Sequence, residues 1–342
     1  MPAIALPPGR PVVFIRLRLL GDILMTIPAV VLFKDRYPDN PIHYVVEERF
    51  RQAAEFIPGI AAIVPVPAPM TMTGMGSFYR RIHRLTPAMA VDFHSGPTGA
   101  LLTWSSRAPV RIGYQTPNRN WAYHFRLPRR PQDHPTHSVY NQATLLSPLG
   151  IDPARVAPYP ELSPALDEFL PGDAGLPGEC GSRVVLHLGA GGSARDWGED
   201  RFGELAGRLV RAGLEVHLIG HSAAERERAQ RLKSRVAVTD WTGRLTLRQT
   251  LHLIVRSGVY CGADSGPMHL ASLSRTPIVA LFGPNLPEIS GPWRTDRVTV
   301  LQPDRPCRPC SQPRRDCGTM PCIRDIEVRS VYEAIQNSLG RA

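Results

Sequence analysis

Short apolar runs alternate with amphipathic stretches along the first half of this 342-residue chain. Three runs have the length and β-branched content of buried strands: PVVFIRL (11–17), IHYVVEE (42–48) and AMAVDFH (88–94). Helical periodicity lies between or beside them, over 26–36, about 47–55 and 77–85. Strands that alternate with helices predict βαβ units and a parallel sheet.

The second half repeats this pattern more clearly. RVVLHLGAGG reads as a strand that enters a glycine-rich turn, and an amphipathic helix follows, because Phe202, Leu205, Ala206, Leu209 and Val210 share one helical face. Gly213 is expected just past its end. Further strands are predicted at LEVHLIG, VYCGAD and PIVALFG, and further helices over 223–234, 246–257, just after Pro267 and over 328–339. This is a second doubly wound α/β domain.

Proline, glycine and acidic residues dominate the stretch between the two halves, which predicts an interdomain linker with one short helix near 164–169. The expected organisation is a Rossmann-like domain over 1–160, a linker over 161–182, a second Rossmann-like domain over 183–327 and a C-terminal helix over 328–342. Two such domains around a cleft suit an enzyme that binds a nucleotide in one and a second substrate in the other.

The charge is basic, with a formal net charge of +10. Lys34 and Lys233 are the only lysines, so arginine supplies almost all of it. A basic protein favours anionic partners: nucleic acid, an anionic membrane face, or phosphorylated and carboxylated substrates. No apolar run reaches the ~20 residues of a membrane span, and prolines interrupt the N-terminal apolar stretch as they do not in a signal peptide. We expect a cytoplasmic protein, with peripheral membrane contact left open.

Asp22 is surrounded in sequence by apolar residues, in the segment RLRLLGDILMTIP (16–28) between the first predicted strand and the first predicted helix. A helix that began directly after Asp22 would carry Pro28 inside it, at a cost of ~3 kcal/mol. A helix capped by Thr26 would place Pro28 in its first turn. Asp22 is therefore predicted to lie in a loop at the strand's carboxyl end, and strand alternation predicts that Arg16 and Arg18 point away from it.

Three loops of the second half also follow strands, where open parallel sheets bind ligands. HLGAGGSARDW contains Gly189, Ala190, Gly191, Gly192, Ser193 and Arg195, and its backbone can cradle a phosphate or simply form a tight turn. GADSGPMHLAS contains Asp264, Ser265, Gly266 and His269. Asp264 or Ser265 can cap the helix instead of binding a ligand. Glu225 can hold a ribose, or serve only in a capping box with Ser222.

Together these segments resemble the heptosyltransferase-type glycosyltransferases of family 9, which add ADP-activated heptose to the lipopolysaccharide inner core. The resemblance rests on GDILMTIPAV, HLGAGGSARDWGEDRFGELAGRL, GADSGPMHLAS with TPIVALFGP, and the cysteine-rich tail CRPCSQPRRDCGTMPCIRDI. It implies a GT-B fold, an acceptor-binding N-terminal domain and a C-terminal domain that binds the nucleotide sugar. It further implies an inverting, metal-independent transfer with no cofactor.

The resemblance also assigns roles to residues. Asp22 matches the catalytic base. Arg195 stands where many members have lysine, and Glu225 matches the ribose-contacting acid. Gly189, Ala190, Gly191, Gly192, Ser193, Asp264, Ser265, Gly266 and His269 match the donor-binding segments. An acceptor that carries carboxylates and phosphates would bind arginines of the N-terminal half. The candidates are Arg80, Arg81 and Arg84, which follow a flexible TMTGMGS segment, and Arg111. A solvated basic face remains the alternative.

Four cysteines cluster near the C-terminus, at Cys307, Cys310, Cys317 and Cys322. Four thiols this close in a reducing compartment suit a structural Zn²⁺, although the spacing is not that of a standard zinc finger and ordinary reduced thiols remain the alternative. Other readings of the whole chain are another donor or acceptor, a non-catalytic sugar-nucleotide binder, or a nucleic-acid-binding protein. The last lacks an interleaved aromatic and basic motif, so no nucleic-acid partner is expected.

Overall fold

The computed structural model describes residues 3–66, 72–129, 136–159, 176–189, 193–304 and 321–340. The chain divides into two compact units, Met1–Ala157 and Pro158–Ala342. Most of the predicted linker, with the helix expected near 164–169, lies outside the described residues.

The first unit is built on a parallel sheet. Its strands are β1 (Val12–Ile15), β2 (Ile42–Glu47), β3 (Ile60–Val66), β4 (Met89–Asp92), β5 (Val110–Tyr114) and β6 (Phe125–Leu127), in the order β3-β2-β1-β4-β5-β6. The central strands β1 and β4 are buried along their whole length, which explains why they are continuous apolar runs rather than alternating ones. The order reverses at β1 and β4, and Asp22 follows β1 directly.

Helices cover both faces of this sheet. They are α1 (Leu20–Leu24), α2 (Ile27–Arg36), α3 (Arg51–Ala54), α4 (Met72–Arg84), α5 (Pro97–Ser105) and α6 (Ser138–Thr144). Phe78 and Ile82 of α4 pack against Val13 and Ile15 on one face. Phe14, Phe33 and Phe93 form edge-to-face contacts on the other. The predicted TMTGMGS loop is wrong from residue 72 onward, because helix α4 begins at Met72 and not at the predicted residue 77.

The second unit repeats the architecture. Its strands are β7 (Cys180–His187), β8 (Glu215–Ile219), β9 (Thr239–Asp240), β10 (Ser257–Ala263), β11 (Ile278–Leu281) and β12 (Val298–Leu301), in the order β12-β11-β10-β7-β8-β9. The helices are α7 (Glu199–Arg211), α8 (Ala223–Lys233), α9 (Leu247–Val255), α10 (Gly266–Ser272), α11 (Pro287–Ser290), α12 (Pro321–Arg324) and α13 (Val328–Leu339).

One face of this second sheet is sealed by Trp197, which is fully buried. Its indole Nε1 donates to the carbonyl of Ile326 at 2.8 Å, and its ring meets Phe202 of α7 edge to face. The C-terminal helix α13 packs on the same core through Val331 and Ile335. The two doubly wound units confirm the expected α/β class. Among the described helices, none combines the length and the apolar character that a membrane crossing requires.

Candidate active site

Asp22 lies in the segment that connects β1 to the first helices. Leu19 turns the chain with a φ of +72°, which is unusual for a residue other than glycine and is a local strain of the kind found at functional loops. Asp22 then occupies the first turn of α1, and its carboxylate forms an ion pair with Arg16. The Arg16 side chain is 9% exposed and the Asp22 side chain 29%, so the carboxylate keeps one side open to ligands.

Two expectations about Asp22 are wrong. It lies in a short helix rather than in a loop, and Arg16 points towards it rather than away. The reason for the second is that β1 ends at Ile15, so strand alternation no longer applies to Arg16. Its long side chain turns back across the carboxyl end of the sheet, where Nη1 also donates to the carbonyl of Phe93 at 2.6 Å.

Pro28 is accommodated as predicted. Thr26 is the N-cap residue of α2, and Pro28 lies in the first turn. The Thr26 hydroxyl does not cap the helix, since it donates to the carbonyl of Ile23 at 2.6 Å and lies 2.9 Å from the Tyr44 hydroxyl. This separates α1 from α2, so Asp22 belongs to a helix of its own. Asp22 is not a capping residue either, because the N-cap position of α1 is occupied by Leu19.

Other basic side chains gather at the same edge of the sheet. Burial, reinforced by the positive charges of Arg16 and Arg18, lowers the pKa of His94 to about 4, and Arg129 contributes in the same direction. His94 follows β4, and Arg129 lies over the ring of Tyr114, the last residue of β5. A neutral imidazole and three arginines therefore surround the Asp22 edge.

The arginines predicted to hold the acceptor lie elsewhere. Arg80, Arg81 and Arg84 are exposed on the second half of α4. Because α4 connects two parallel strands, it runs back from their carboxyl ends to their amino ends. Burial and the charge of Arg81 lower the pKa of His43, which is the second residue of β2, so Arg81 lies towards the amino edge.

Arg111 has a structural use. Its Nε donates to the carbonyl of Ala122 at 2.9 Å and its Nη1 to the carbonyl of Ala108 at 3.0 Å. It is the second residue of β5, again near the amino edge, so these contacts favour a role in holding the β5–β6 connection. None of the four predicted acceptor arginines is thus brought beside Asp22.

In the second unit, Glu225 is the centre of a polar network. The capping box with Ser222 is confirmed at the start of α8. Oε2 of Glu225 accepts hydrogen bonds from the backbone N–H groups of His221 and Ser222 and from the Ser222 hydroxyl, at 2.6–3.0 Å. Burial alone would raise the pKa of Glu225, but hydrogen bonds from His187 and Ser222 outweigh it and hold this pKa well below its usual value.

His187 joins two of the predicted donor residues. Its Nε2 lies 3.0 Å from Oε1 of Glu225, and its Nδ1 lies 3.2 Å from Oγ of Ser265. Gly189 is required beside this network, since a Cβ there would overlap the Glu225 carboxylate. The glycine thus leaves space for Glu225, whether or not its backbone also approaches a phosphate.

Asp264 and Ser265 do not cap α10 through their side chains, so the capping alternative is wrong. Ser265 is the N-cap residue but makes no side-chain cap, and its hydroxyl reaches Ala263 and His187. The Asp264 carboxylate accepts from Asn285. Arg195 Nη1 donates to the carbonyl of Asp264 at 2.9 Å, so the predicted positive charge stands beside the start of α10.

The other predicted donor residues are only partly described. Gly266 begins α10 and His269 is buried within it. Ala190, Gly191, Gly192 and the Ser193 side chain lie outside the described residues. So do Cys307, Cys310 and Cys317, and Cys322 alone of that cluster is described, in α12. The described part of the chain contains no group of three or more metal-ligating side chains. The zinc site therefore stays a prediction that metal analysis of the purified protein would test.

Sequence reasoning missed His94 and His187, and it considered Arg16 and Arg18 but did not include them in the site. Each is a polar residue at, or just beyond, the carboxyl end of an apolar strand, and that shared position is the signal that could have found them.

Two doubly wound units, each with polar side chains collected at the carboxyl ends of its strands, are the architecture of the GT-B class. Residues 80–319 match the model of glycosyltransferase family 9 (heptosyltransferase), and the chain belongs to this family. The protein is therefore a glycosyltransferase.

Individual relatives agree with this assignment. Lipopolysaccharide heptosyltransferase 1 of Pseudomonas aeruginosa is 28% identical over 92% of this chain and 89% of its own length. The family 9 glycosyltransferase structure from Veillonella parvula superposes with a TM-score of 0.81 at 21% identity, covering 100% of both chains. The Escherichia coli heptosyltransferase WaaC with ADP gives 0.75 at 20% identity, covering 96% and 99%. The GT-B fold is thereby confirmed.

Proposed function

We propose that this protein transfers heptose from ADP-heptose to an inner-core lipopolysaccharide acceptor, with inversion of the anomeric centre and without a metal ion. The observation that carries the proposal is Asp22, a carboxylate fixed on one side by Arg16 and partly open on the other. Membership of family 9 and the similarity to the Pseudomonas aeruginosa enzyme support the donor and the acceptor class.

Asp22 is the proposed general base. Oδ2 is bound to Arg16, and no hydrogen bond or ion pair from the described residues reaches Oδ1. In the proposed reaction an acceptor hydroxyl attacks the anomeric carbon and gives its proton to Asp22. The new carbon–oxygen bond forms as the bond to the diphosphate breaks, and ADP leaves from the opposite face with the bonding electron pair.

The second unit is the proposed donor site. Glu225 binds ribose hydroxyls, while the loop over 189–193 and the segment with Asp264, Ser265, Gly266 and His269 hold the diphosphate end. Arg195 is anchored on the Asp264 carbonyl and offers a positive charge to the leaving diphosphate, the role that a metal ion fills in other transferases. Arginine is suited to this role because its planar fork binds phosphate oxygens in pairs.

Arginines at the Asp22 edge are the better candidates for an anionic acceptor. The charges of Arg18, Arg129 and Asp22 all act on His94, which places them at the same edge of the sheet, and Arg18 also forms an ion pair with Glu47 at 3.2 Å. Arg80, Arg81 and Arg84 instead occupy the far part of α4. We assign Kdo carboxylates and phosphates of the acceptor to Arg18 and Arg129. The proposed location is the cytoplasm, at the cytoplasmic face of the inner membrane where such an acceptor is anchored.

The decisive experiment supplies ADP-heptose, ADP-glucose and UDP-sugars to the purified protein with a panel of truncated lipopolysaccharides, and identifies products by mass. Transfer from ADP-heptose supports the proposal, and transfer only from another donor replaces it with another family 9 specificity. Binding of ADP-heptose without any product would indicate a non-catalytic binder.

The assignment of the base has its own test. Asp22→Asn is expected to lower kcat by roughly 10²–10⁴, the usual contribution of a general base. Asp39→Asn, at an exposed aspartate of the same unit, serves as the control with unchanged kcat. A near-normal kcat for Asp22→Asn would remove Asp22 from the role.

A further inference from the structure

We propose that His187 is a positioning residue of the donor site, which aims one oxygen of Glu225 at the ribose. The inference rests on the proposed donor site. It adds His187, a residue that does not itself contact the reacting atoms. His187 is the last residue of β7, its side chain is 6% exposed, and its ring spans the distance between Glu225 and Ser265.

Few acceptor positions on Glu225 remain open to a ligand. A carboxylate offers about four, two on each oxygen. Oε2 already accepts three hydrogen bonds, from two backbone N–H groups and the Ser222 hydroxyl. Oε1 accepts from His187, its one partner among the described residues. A ribose hydroxyl must therefore bind Oε1, the oxygen that His187 holds.

The contact with Glu225 determines the tautomer of His187. An ionised carboxylate only accepts hydrogen bonds, so Nε2 of His187 carries the hydrogen that faces Oε1. The low pKa of Glu225, to which His187 contributes, agrees with an ionised carboxylate at this position. Because the capping box fixes Oε2 alone, His187 is what prevents the carboxylate plane from turning about that anchor.

Two glycines lie close to this network. A Cβ on Gly262 would lie 2.7 Å from the Tyr260 hydroxyl and 3.0 Å from the Cβ of His187, and a Cβ on Gly189 would overlap Glu225. Glycines at these two positions therefore leave room for the side chains of His187 and Glu225 and for the neighbouring tyrosine. On the other side of the His187 ring, Nδ1 contacts Ser265 at the start of α10, next to Asp264. One imidazole thus links the proposed ribose contact to the proposed diphosphate segment.

The experiment measures the dissociation constants of ADP, 2′-deoxy-ADP and 3′-deoxy-ADP for the full-length protein by calorimetry. A hydrogen bond to a charged group is worth about 1.5–3 kcal/mol, so the wild-type protein should bind ADP roughly 10–150-fold more tightly than the deoxy analogue that lacks the bonded hydroxyl. His187→Leu should reduce this ratio to about threefold or less. His187→Gln, whose amide nitrogen can replace Nε2, should retain most of it.

One control variant separates this inference from the donor-site assignment. Glu225→Ala should also lose the discrimination, and if it keeps the wild-type ratio, Glu225 does not bind ribose and the proposed donor site is wrong. If Glu225→Ala loses the ratio while His187→Leu keeps it, only the role of His187 is overturned.

Should His187→Leu not fold, His187→Asn takes its place, because its shorter amide reaches the Ser265 side but not Glu225. Asparagine should then lose the ratio that glutamine keeps. Equal ratios in these two variants would overturn the inference.

Discussion

Arg16 and Asp22 form an ion pair at the carboxyl end of β1, and the same guanidinium donates to the carbonyl of Phe93 at the end of β4. The pair therefore ties the proposed base to two central strands of the first unit. A helix of only five residues, preceded by a strained Leu19, would not by itself hold a carboxylate in one orientation. We infer that Arg16 supplies the rigidity that α1 lacks.

Replacement of Arg16 should accordingly reduce turnover. We expect Arg16→Gln to lower kcat by roughly 10- to 100-fold, since small misplacements of a catalytic group are costly, and Arg16→Lys to recover part of this loss. The KM for the nucleotide sugar should stay within about twofold, because donor residues belong to the other unit. Arg36→Gln, at an exposed arginine that lies over the ring of Tyr37 in the same unit, is the control. Equal kcat in all three variants would contradict the inference.

A methyl group at position 189 should displace the Glu225 carboxylate. Gly189→Ala is expected to raise the KM for the nucleotide sugar at least about tenfold, through the lost charged hydrogen bond to ribose. Gly181→Ala, near the start of the strand that leads to Gly189, is the matched control, because nothing lies within 4 Å of a Cβ built there. Steady-state kinetics with saturating acceptor measures both. An unchanged KM in Gly189→Ala would show that Glu225 tolerates displacement and does not hold the donor.

Two double variants distinguish the arginines near Asp22 from those on α4. Arg18→Gln with Arg129→Gln should raise the acceptor KM roughly 10- to 100-fold, as expected for two lost charge-assisted contacts to carboxylate or phosphate. Arg80→Gln with Arg84→Gln removes the same formal charge and should change it by less than about threefold. Kinetics with a soluble, deacylated acceptor avoids effects of membrane binding. The opposite ranking would restore the α4 arginines to the acceptor site.

The sequence predicted most of the second unit because its elements carry strong local signals. The face of Phe202, Leu205 and Leu209 is buried as expected, Gly213 follows the helix with a φ of +78°, and the Ser222–Glu225 box opens α8. The first unit was harder. Strands β3, β5 and β6 and helices α1, α5 and α6 were not identified. Among these, β3 and β6 are only partly buried and lack a clean period.

The candidate site was predictable in its members but not in its contacts. Asp22, Glu225 and Asp264 follow from motifs, yet the partner of Asp22 depends on where β1 ends, and the partner of Glu225 comes from a strand about forty residues earlier in the chain. Local periodicity contains no information on such pairings. The exposed arginines of α4 illustrate the converse: composition shows that arginines are abundant, and only topology shows at which edge of the sheet they lie.

Acid should destabilise the second unit through His217. Burial and the positive charge of Arg183 lower the pKa of His217 from its usual 6.5 to about 4, although the negative charge of Glu215 acts in the opposite direction. Its Nδ1 accepts a hydrogen bond from Nε1 of Trp241 at 3.0 Å, and a proton on Nδ1 would abolish that bond. The unfolded chain thus binds a proton between pH 6.5 and 4 that the folded chain does not.

The contribution of His217 to stability is complete above pH 6.5 and is lost as the pH falls towards 4. It amounts to about 3 kcal/mol at most, since one pKa unit corresponds to about 1.4 kcal/mol. Urea unfolding across this range should show a steeper decline for the wild-type protein than for His217→Gln, whose amide oxygen can still accept from Trp241. Comparison with the variant cancels the pH-dependent contributions of other titrating groups to stability, including that of His94. Parallel pH profiles, or an NMR titration of His217 near pH 6.5, would contradict a neutral buried imidazole.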